Sequence, residues 1–181
     1  MKTLLAVLLS LTSLPAIAGD ACDAQLPSAL KARVATAFPA FRTPAVTDNL
    51  PEDVEWDLKQ KGKGCLGVAK ADFDGNGTQD FLLGLTAKKG DRAIVLVALS
   101  RRGKWQFHQL DMWPEGRSRL YVSADKPGVY VRTEALDGPR EHGEVSPLRC
   151  SHSVAVFGTT ESTGVAYCYK KGKWPYVWVS D

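Results

Sequence analysis

The spacing of apolar residues predicts that the chain begins with a helical part. Leu30, Val34 and Phe38 recur at every fourth position, which places them on one face of an α-helix. Pro27 suits the first turn of this helix, and Pro39 ends it. We therefore predict one amphipathic helix across residues 27–38.

A second, shorter helix is expected after a surface linker at residues 41–48. Asn49 has the side chain of a helix cap, and the acidic Glu52 and Asp53 suit the positive end of a helix. Trp56 is expected to pack this helix onto a sheet. Residues 19–64 thus form a helical and linker segment that packs on a β domain.

The β domain is predicted for residues 65–181, where short apolar runs are separated by turn residues. Residues 93–99 are apolar throughout and predict a strand buried on both faces, whereas residues 104–110 alternate and predict a half-exposed strand. The other predicted strands cover residues 66–69, 81–85, 119–123, 129–133, 153–157, 164–168 and 174–179. The expected fold is mainly β, an antiparallel meander with one or two short N-terminal helices, in one compact domain over residues 19–181.

Two stretches of the predicted β domain share a pattern of basic, glycine, lysine, tryptophan and aromatic residues. They are RGKWQF at residues 102–107 and KGKWPY at residues 171–176. Both follow an apolar strand and open an outer one, as recurring hairpins would. Turn residues also produce such matches without any repeat, so a repeat and a coincidence are both open interpretations.

The first 18 residues have the pattern of a secretory signal. Lys2 precedes the apolar run Leu4–Leu14, and Ala16–Ala18 has the small residues of a cleavage site after Ala18. Removing the signal changes the formal net charge from +3 to +2, which is too balanced to favour nucleic acid or an anionic membrane. We expect a periplasmic or secreted protein without a membrane span.

All four cysteines lie after this signal, where an oxidising compartment favours disulfides. A predicted hairpin turn at residues 158–161 brings Cys150 and Cys168 opposite each other. That pairing leaves Cys22 with Cys65. A zinc site or a redox pair is the competing interpretation, but the spacing is scattered and no CxxC motif occurs.

The stretch between the predicted strands at 66–69 and 81–85 has the composition of a calcium loop. Oxygen-bearing side chains stand at loop positions 1, 3, 5 and 9, glycine stands at position 6, and a backbone carbonyl is expected to bind at position 7. The predicted ligands are Asp72, Asp74, Asn76, Thr78 and Asp80. Crowded carboxylates repel one another without a cation. The alternative is a polar turn that binds no metal.

The stretch VAKADFDGNGTQDFLLGL at residues 68–85 resembles the FG-GAP and VCBS-type calcium loops of β-propeller blades. It departs from an EF-hand because Leu83 stands where an EF-hand has its bidentate glutamate. The resemblance implies a small or incomplete propeller-like fold that binds Ca²⁺.

The closing run GVAYCYKKGKWPYVWVSD, residues 164–181, looks like the ends of small exported bacterial proteins of the VCBS-like group. Some relatives of that group inhibit lysozymes or act as immunity proteins against secreted cell-wall-degrading effectors. The resemblance therefore implies a calcium-binding inhibitor or immunity protein whose partner is a cell-wall hydrolase.

Two other functions are weighed against this one. Five tryptophans and five tyrosines suggest a carbohydrate- or surface-binding module, in which some of Trp113, Trp174, Tyr176 and Trp178 face outward. The opposing interpretation is that these rings fill the core. A charged loop across residues 132–149 has the character of a recognition loop or of plain solvated surface.

The third function is a hydrolase in which Glu134 and Asp137 act as an acid pair. The spacing of this pair carries little information. The sequence contains no GxSxG, HExxH or Walker motif. We therefore predict that the protein is not an enzyme.

Overall fold

Strands dominate the part of the chain that the computed structural model describes, which is residues 19–113 and 117–180. They hold 40% of the residues and helices hold 18%, so the prediction of a mainly β, antiparallel fold with few helices is confirmed. The predicted signal at residues 1–18 lies outside the described residues.

Two α-helices precede most of the strands, α1 at Ser28–Ala37 and α2 at Pro51–Lys59. Short 3₁₀ turns lie at Asp23–Gln25, Val46–Asp48 and Arg117–Arg119. Among the described residues, no helix has the length and apolar character needed to cross a membrane.

Two details predicted for α2 are wrong. The residue before its first turn is Leu50, and Asn49 instead donates from Nδ2 to Leu120 O at 2.7 Å. Trp56 does not pack the helix onto a sheet, because 57% of this residue is exposed. Asn49 therefore ties the start of α2 to a strand, and the indole of Trp56 is left at the surface.

The first sheet contains the strands before residue 114. These are β1 at Phe41–Arg42, β2 at Val68–Ala71, β3 at Asp80–Ala87, β4 at Ala93–Arg101 and β5 at Lys104–Trp113. β3, β4 and β5 lie side by side, and β1 and β2 pair with opposite ends of the free side of β3. Every pairing in this sheet is antiparallel.

The second sheet has the order β11–β10–β9–β6. Its strands are β6 at Leu120–Asp125, β9 at Val154–Thr159, β10 at Gly164–Tyr167 and β11 at Tyr176–Ser180, and a separate two-stranded ribbon joins β7 at Gly128–Tyr130 to β8 at Leu148–Cys150. β6 and β7 follow one another in the chain but do not pair, because β6 pairs with β9 and β7 with β8.

Alternation along the buried strands builds three apolar layers. On β3 and β4, Phe81, Leu83 and Leu96 face α1, whereas Leu82 and Val97 face the second sheet. The far face of the second sheet packs beneath the β7–β8 ribbon. The order of layers is therefore helix, sheet, sheet and ribbon, and β3 and β4 are buried on both faces.

Both predicted disulfides are present. Cys22 is bonded to Cys65 with their Cα atoms 5.1 Å apart, and Cys150 to Cys168 with their Cα atoms 5.8 Å apart. The second bond does not cross the β9–β10 hairpin as predicted, because Cys150 ends β8. It links the ribbon to the residue that follows β10.

The two similar stretches of sequence form the same kind of turn. Arg102 and Gly103 have φ values of 52° and 72°, and Lys171 and Gly172 have values of 49° and 86°. Positive φ at both central residues is typical of the two-residue type I′ turn, which matches the twist of a hairpin. The two turns close residues Arg101–Lys104 and Lys170–Lys173.

Candidate metal centre

The predicted calcium loop connects β2 to β3. Its ends are fixed because Ala71 and Asp80 are opposite each other in the ladder between these strands. Phe73 is fully buried in the core between the two sheets. The loop is therefore held at both ends and from below, while residues 75–79 reach the surface.

The three acidic residues among the five predicted ligands come together. A carboxylate oxygen from each of Asp72, Asp74 and Asp80 lies within 4.8 Å of the other two. Two of these residues are half-buried and Asp80 is buried completely. This spacing places three oxygens around one point, as a hard cation requires.

Backbone N–H groups of the loop hold the first two carboxylates. Asn76 N donates to Asp72 Oδ1 at 3.0 Å and lies 3.2 Å from Asp74 Oδ1, while Gly77 N donates to Asp72 Oδ2 at 2.8 Å. Gly77 has a φ of 80°, a conformation that side chains disfavour. The glycine at loop position 6 thus allows the turn that aims these donors inward.

The side chains of Asn76 and Thr78 form hydrogen bonds within the loop and to β4. Asn76 Oδ1 accepts a hydrogen bond from Thr78 N at 2.7 Å, and Asn76 Nδ2 donates to Ser100 O at 3.2 Å. The Thr78 hydroxyl also lies 2.9 Å from Ser100 O. Both side chains therefore attach the loop to the end of β4.

Asp80 is the most constrained member of the cluster. Phe73 N donates to its Oδ2 at 2.9 Å, and Ser100 N donates to its Oδ1 at 2.7 Å. These donors favour the charged carboxylate, but burial outweighs them and, with the nearby charges of Asp74 and Asp72, raises the pKa of Asp80 to about 6. The cost of burying the Asp80 carboxylate is therefore not offset by a nearby positive charge among the described residues.

Among the described residues, Arg101 is the cation that contacts this cluster, and the sequence patterns did not identify it. Arg101 Nη2 lies 2.7 Å from Asp74 Oδ2, and the Asp74 side chain has no exposed surface. Arg101 also donates to Tyr169 Oη at 2.9 Å, and its guanidinium carbon lies 5.1 Å from the centre of that ring. The available signal was the polar pair Ser100 and Arg101 directly after the apolar run of β4.

A second group of potential ligands, Cys150, His152 and Cys168, does not qualify as a metal site. Their ligand atoms are equally close, but the two sulfur atoms form a disulfide, so no thiolate is available. His152 instead lies against the loop at residues 72–80, where a Cβ atom on Gly75 would be 3.3 Å from the ring. The disulfide region thus supports the outer side of the loop.

Of the remaining candidate residues, two are exposed and four are half-buried. Glu134 and Asp137, the proposed acid pair, are both exposed on the loop after β7. The four aromatic residues expected to include outward-facing rings are half-buried and pack against the core between the sheets; they are Trp113, Trp174, Tyr176 and Trp178. The large exposed aromatic residue among the described ones is Trp56.

Comparisons with protein families, with curated proteins and with solved structures found no match to this chain. The function is therefore inferred from the contacts and charges of the site.

Proposed function

We propose that this protein is an exported binding module stabilised by Ca²⁺, and that it acts as an inhibitor or immunity protein against a cell-wall hydrolase. The observation that carries the calcium assignment is the balance of charge in the loop. Asp72, Asp74 and Asp80 contribute three negative charges within 4.8 Å, and Arg101 contributes one positive charge. The remaining charge of minus two is what a divalent cation neutralises.

The chemistry of the donors favours calcium among divalent cations. The three acidic residues offer oxygen only, and Ca²⁺ takes about six to eight oxygen ligands in flexible geometry. A carboxylate has about four lone-pair sites, so the backbone N–H groups and Arg101 leave acceptor capacity for an ion. Backbone carbonyls and water would complete the coordination.

Calcium would act as a brace between three strands. Asp72 and Asp74 follow β2, Asp80 begins β3, and Ser100 at the end of β4 is bonded to the loop. An ion that holds the three carboxylates would fix this corner of the first sheet together with Arg101 and Tyr169. We assign no catalytic step to it.

The stability of the protein in calcium and in chelator tests the assignment. Calcium at about 100 times its Kd should stabilise the wild type by about 2.7 kcal/mol, because the ion binds only the folded chain. Asp72→Ala should lose this increment, whereas Asp137→Ala, which alters an exposed aspartate in another loop, should keep it. A wild-type melting temperature that is the same in calcium and in chelator would contradict the calcium site.

The partner is tested by affinity capture with the mature protein. Periplasmic extract and the secreted proteins of competing bacteria are passed over it in calcium and in chelator. Recovery of one cell-wall hydrolase, followed by inhibition of its activity, would support the proposal. Retention of polysaccharide without a protein would instead support the glycan-binding function.

A further inference from the structure

A groove of about 870 Å³ lies on the side of β2 that β3 does not cover. Its walls come from β2, β6, α2 and the turn between β9 and β10. The residues that line it include Trp56, Lys63, Val68, Lys70, Val122 and Ala124. The calcium ligands do not line this groove, so it is a separate surface.

The groove is bounded by the edges of two sheets. Within the described residues, β2 pairs with β3 alone and β6 pairs with β9 alone. At one end the two edges are joined by a hydrogen bond from Val122 N to Leu66 O at 2.8 Å. Beyond this bond both strands continue as walls of the groove without pairing with each other.

Strand geometry identifies the backbone groups that face the groove. Gly67 O accepts from Gly84 N at 3.0 Å, so Gly67 bonds inward to β3, and alternation turns Val68 and Lys70 outward. Val122 N already points outward to Leu66, and the same alternation turns Ala124 outward on β6. Both walls therefore present unpaired N–H and C=O groups to the groove.

Another edge of the second sheet is treated differently. Val145 N donates to Tyr176 O at 2.8 Å and Thr133 N donates to Trp178 O at 2.9 Å, so the loop between β7 and β8 covers β11. Proteins usually protect edge strands because they pair with other chains. An edge that is left open inside a groove is suited to an added strand.

Side chains around the groove add apolar and charged contacts. Trp56 is 57% exposed on the α2 wall, and a flat exposed indole is a frequent anchor in protein interfaces. Lys63 and Lys70 lie close enough for Lys63 to help lower the pKa of Lys70, after the larger effect of burial.

The groove is also lined by three acidic residues, Asp53, Asp57 and Glu161. Arg119 lies 3.8 Å from Asp53 Oδ2 and 3.3 Å from Glu161 Oε2, and Asp57 Oδ2 accepts from Gly64 N at 2.8 Å. These acids have partners within the protein, whereas no described residue forms an ion pair with Lys63 or Lys70, so the two ammonium groups favour an acidic side chain on the occupant.

We infer that the groove between β2 and β6 binds an extended, acidic segment of a partner protein as an additional β-strand. Backbone hydrogen bonds to Val68, Lys70 or Ala124 supply the pairing, Trp56 contacts an apolar side chain, and the lysines select a carboxylate. The inference deepens the proposed binding function and rests on it, but it does not depend on calcium.

A defined peptide tests the inference without knowledge of the partner. The probe is a ten-residue peptide of alternating valine and threonine with a central glutamate, titrated to about millimolar concentration and followed by amide NMR of the full protein. The amides of Val68, Lys70 and Ala124 should shift, while those of Ala69 and Ser123, which point into their own sheets, should shift less. A peptide methylated on alternate backbone nitrogens should not bind.

Two pairs of comparisons then test the side chains. Trp56→Ala should weaken binding of the peptide about tenfold, whereas Leu58→Ala, at a similarly exposed residue of α2 that does not line the groove, should change it less than about twofold. Replacing the glutamate of the peptide by lysine should weaken binding, and Lys63→Glu should reduce that preference.

Several results would overturn the inference. The inference would be wrong if no amide shifts at the highest peptide concentration, if the methylated peptide binds equally well, or if the shifts are confined to β5. It would also be wrong if the same amides respond to a chitin oligosaccharide and not to the peptide. A dimer in sedimentation that protects these amides would also overturn it. Capture of a hydrolase that Trp56→Ala leaves unchanged would reject the groove but keep the proposed function, whereas peptide binding without any captured hydrolase would reject the hydrolase as partner.

Discussion

Two acidic loops of this protein differ in how far other groups of the protein balance their buried carboxylates. In residues 72–80, three carboxylates converge on one another, and Arg101 forms an ion pair with one of them, Asp74. In the loop after β7, Glu144 Oε1 lies 3.3 Å from Arg132 Nε in an ion pair without hydrogen-bond geometry, and the other oxygen of Glu144 accepts from Glu141 N at 3.1 Å. The first loop is short of positive charge, whereas the second is internally paired.

Glu141, in the same loop as Glu144, is also hydrogen-bonded to groups of the protein. Its Oε2 accepts from Tyr176 Oη at 3.0 Å and from Trp178 Nε1 at 3.4 Å. Burial, followed by the interaction with Glu141, raises the pKa of Tyr176 to about 12, which keeps the phenol a donor. The number of acidic residues in a loop therefore does not identify a metal site. The distinguishing property is whether the protein itself balances the negative charge of the loop.

The largest expected effect comes from breaking the paired loop. Glu144→Ala removes a carboxylate with no exposed side-chain surface and leaves Arg132, whose side chain is 19% exposed, without its acid. Loss of one partner of a buried pair costs about 3–5 kcal/mol, and Arg132 keeps a hydrogen bond to Gly138 O, so we expect about 3 kcal/mol.

Urea unfolding in calcium and in chelator measures this loss, which should be equal under both conditions. Glu134→Ala, at an exposed position nearby, should change the free energy of unfolding by less than about 0.5 kcal/mol. A loss of stability that appears only in calcium would mean that the loop of Glu144 and the loop at residues 72–80 are coupled, which would contradict their expected independence.

A somewhat smaller effect is expected from pH on the converging loop. The pKa of Asp80 is about 6 in the folded protein without metal and lower in the unfolded chain, so the folded state binds the proton more tightly. The contribution of this group to stability is therefore present below about pH 4 and is lost as the pH rises through 6, by about 2–3 kcal/mol.

Calcium should reverse this trend, because the ion needs the ionised carboxylate and competes with the proton. Unfolding measured from pH 4 to pH 7 should show a calcium increment that grows as the pH rises through 6. The Asp80→Ala variant should lack both the decline in chelator and the increment in calcium. An increment that is constant across this range would remove Asp80 from the ligands.

Sequence patterns predicted the parts of this site that are local in the chain. Asp72, Asp74 and Asp80 are brought together by a loop whose two ends are adjacent in one hairpin, so their spacing alone was informative. Arg101 was not predicted because it reaches Asp74 across 27 positions, through the pairing of β3 with β4 and the length of β4 beyond the loop.

The incorrect predictions have the same cause. Apolar periodicity identified α1 and the central strands, because burial on one or both faces fixes that pattern. The same periodicity could not predict the direction of the Trp56 side chain. A helix of nine residues has several faces, and the face of α2 that carries Trp56 borders a groove and does not pack on a sheet. The cysteine pairs were correct, but the position of Cys150 in a separate ribbon depends on long-range strand order.

The smallest expected effect separates the two roles of Thr78. Its backbone carbonyl is the predicted calcium ligand, whereas its hydroxyl lies 2.9 Å from Ser100 O and attaches the loop to β4. Thr78→Val removes the hydroxyl and keeps the carbonyl, so it should destabilise the protein by about 1 kcal/mol both in calcium and in chelator. The affinity for calcium, measured by calorimetry, should change by less than about twofold, because a brace to β4 is lost while the ligands stay in place. If the affinity instead falls tenfold with little change in the chelator-treated protein, the hydroxyl itself binds the ion. The loop at residues 72–80 would then bind the ion through a neutral hydroxyl that, without metal, is hydrogen-bonded to Ser100 O.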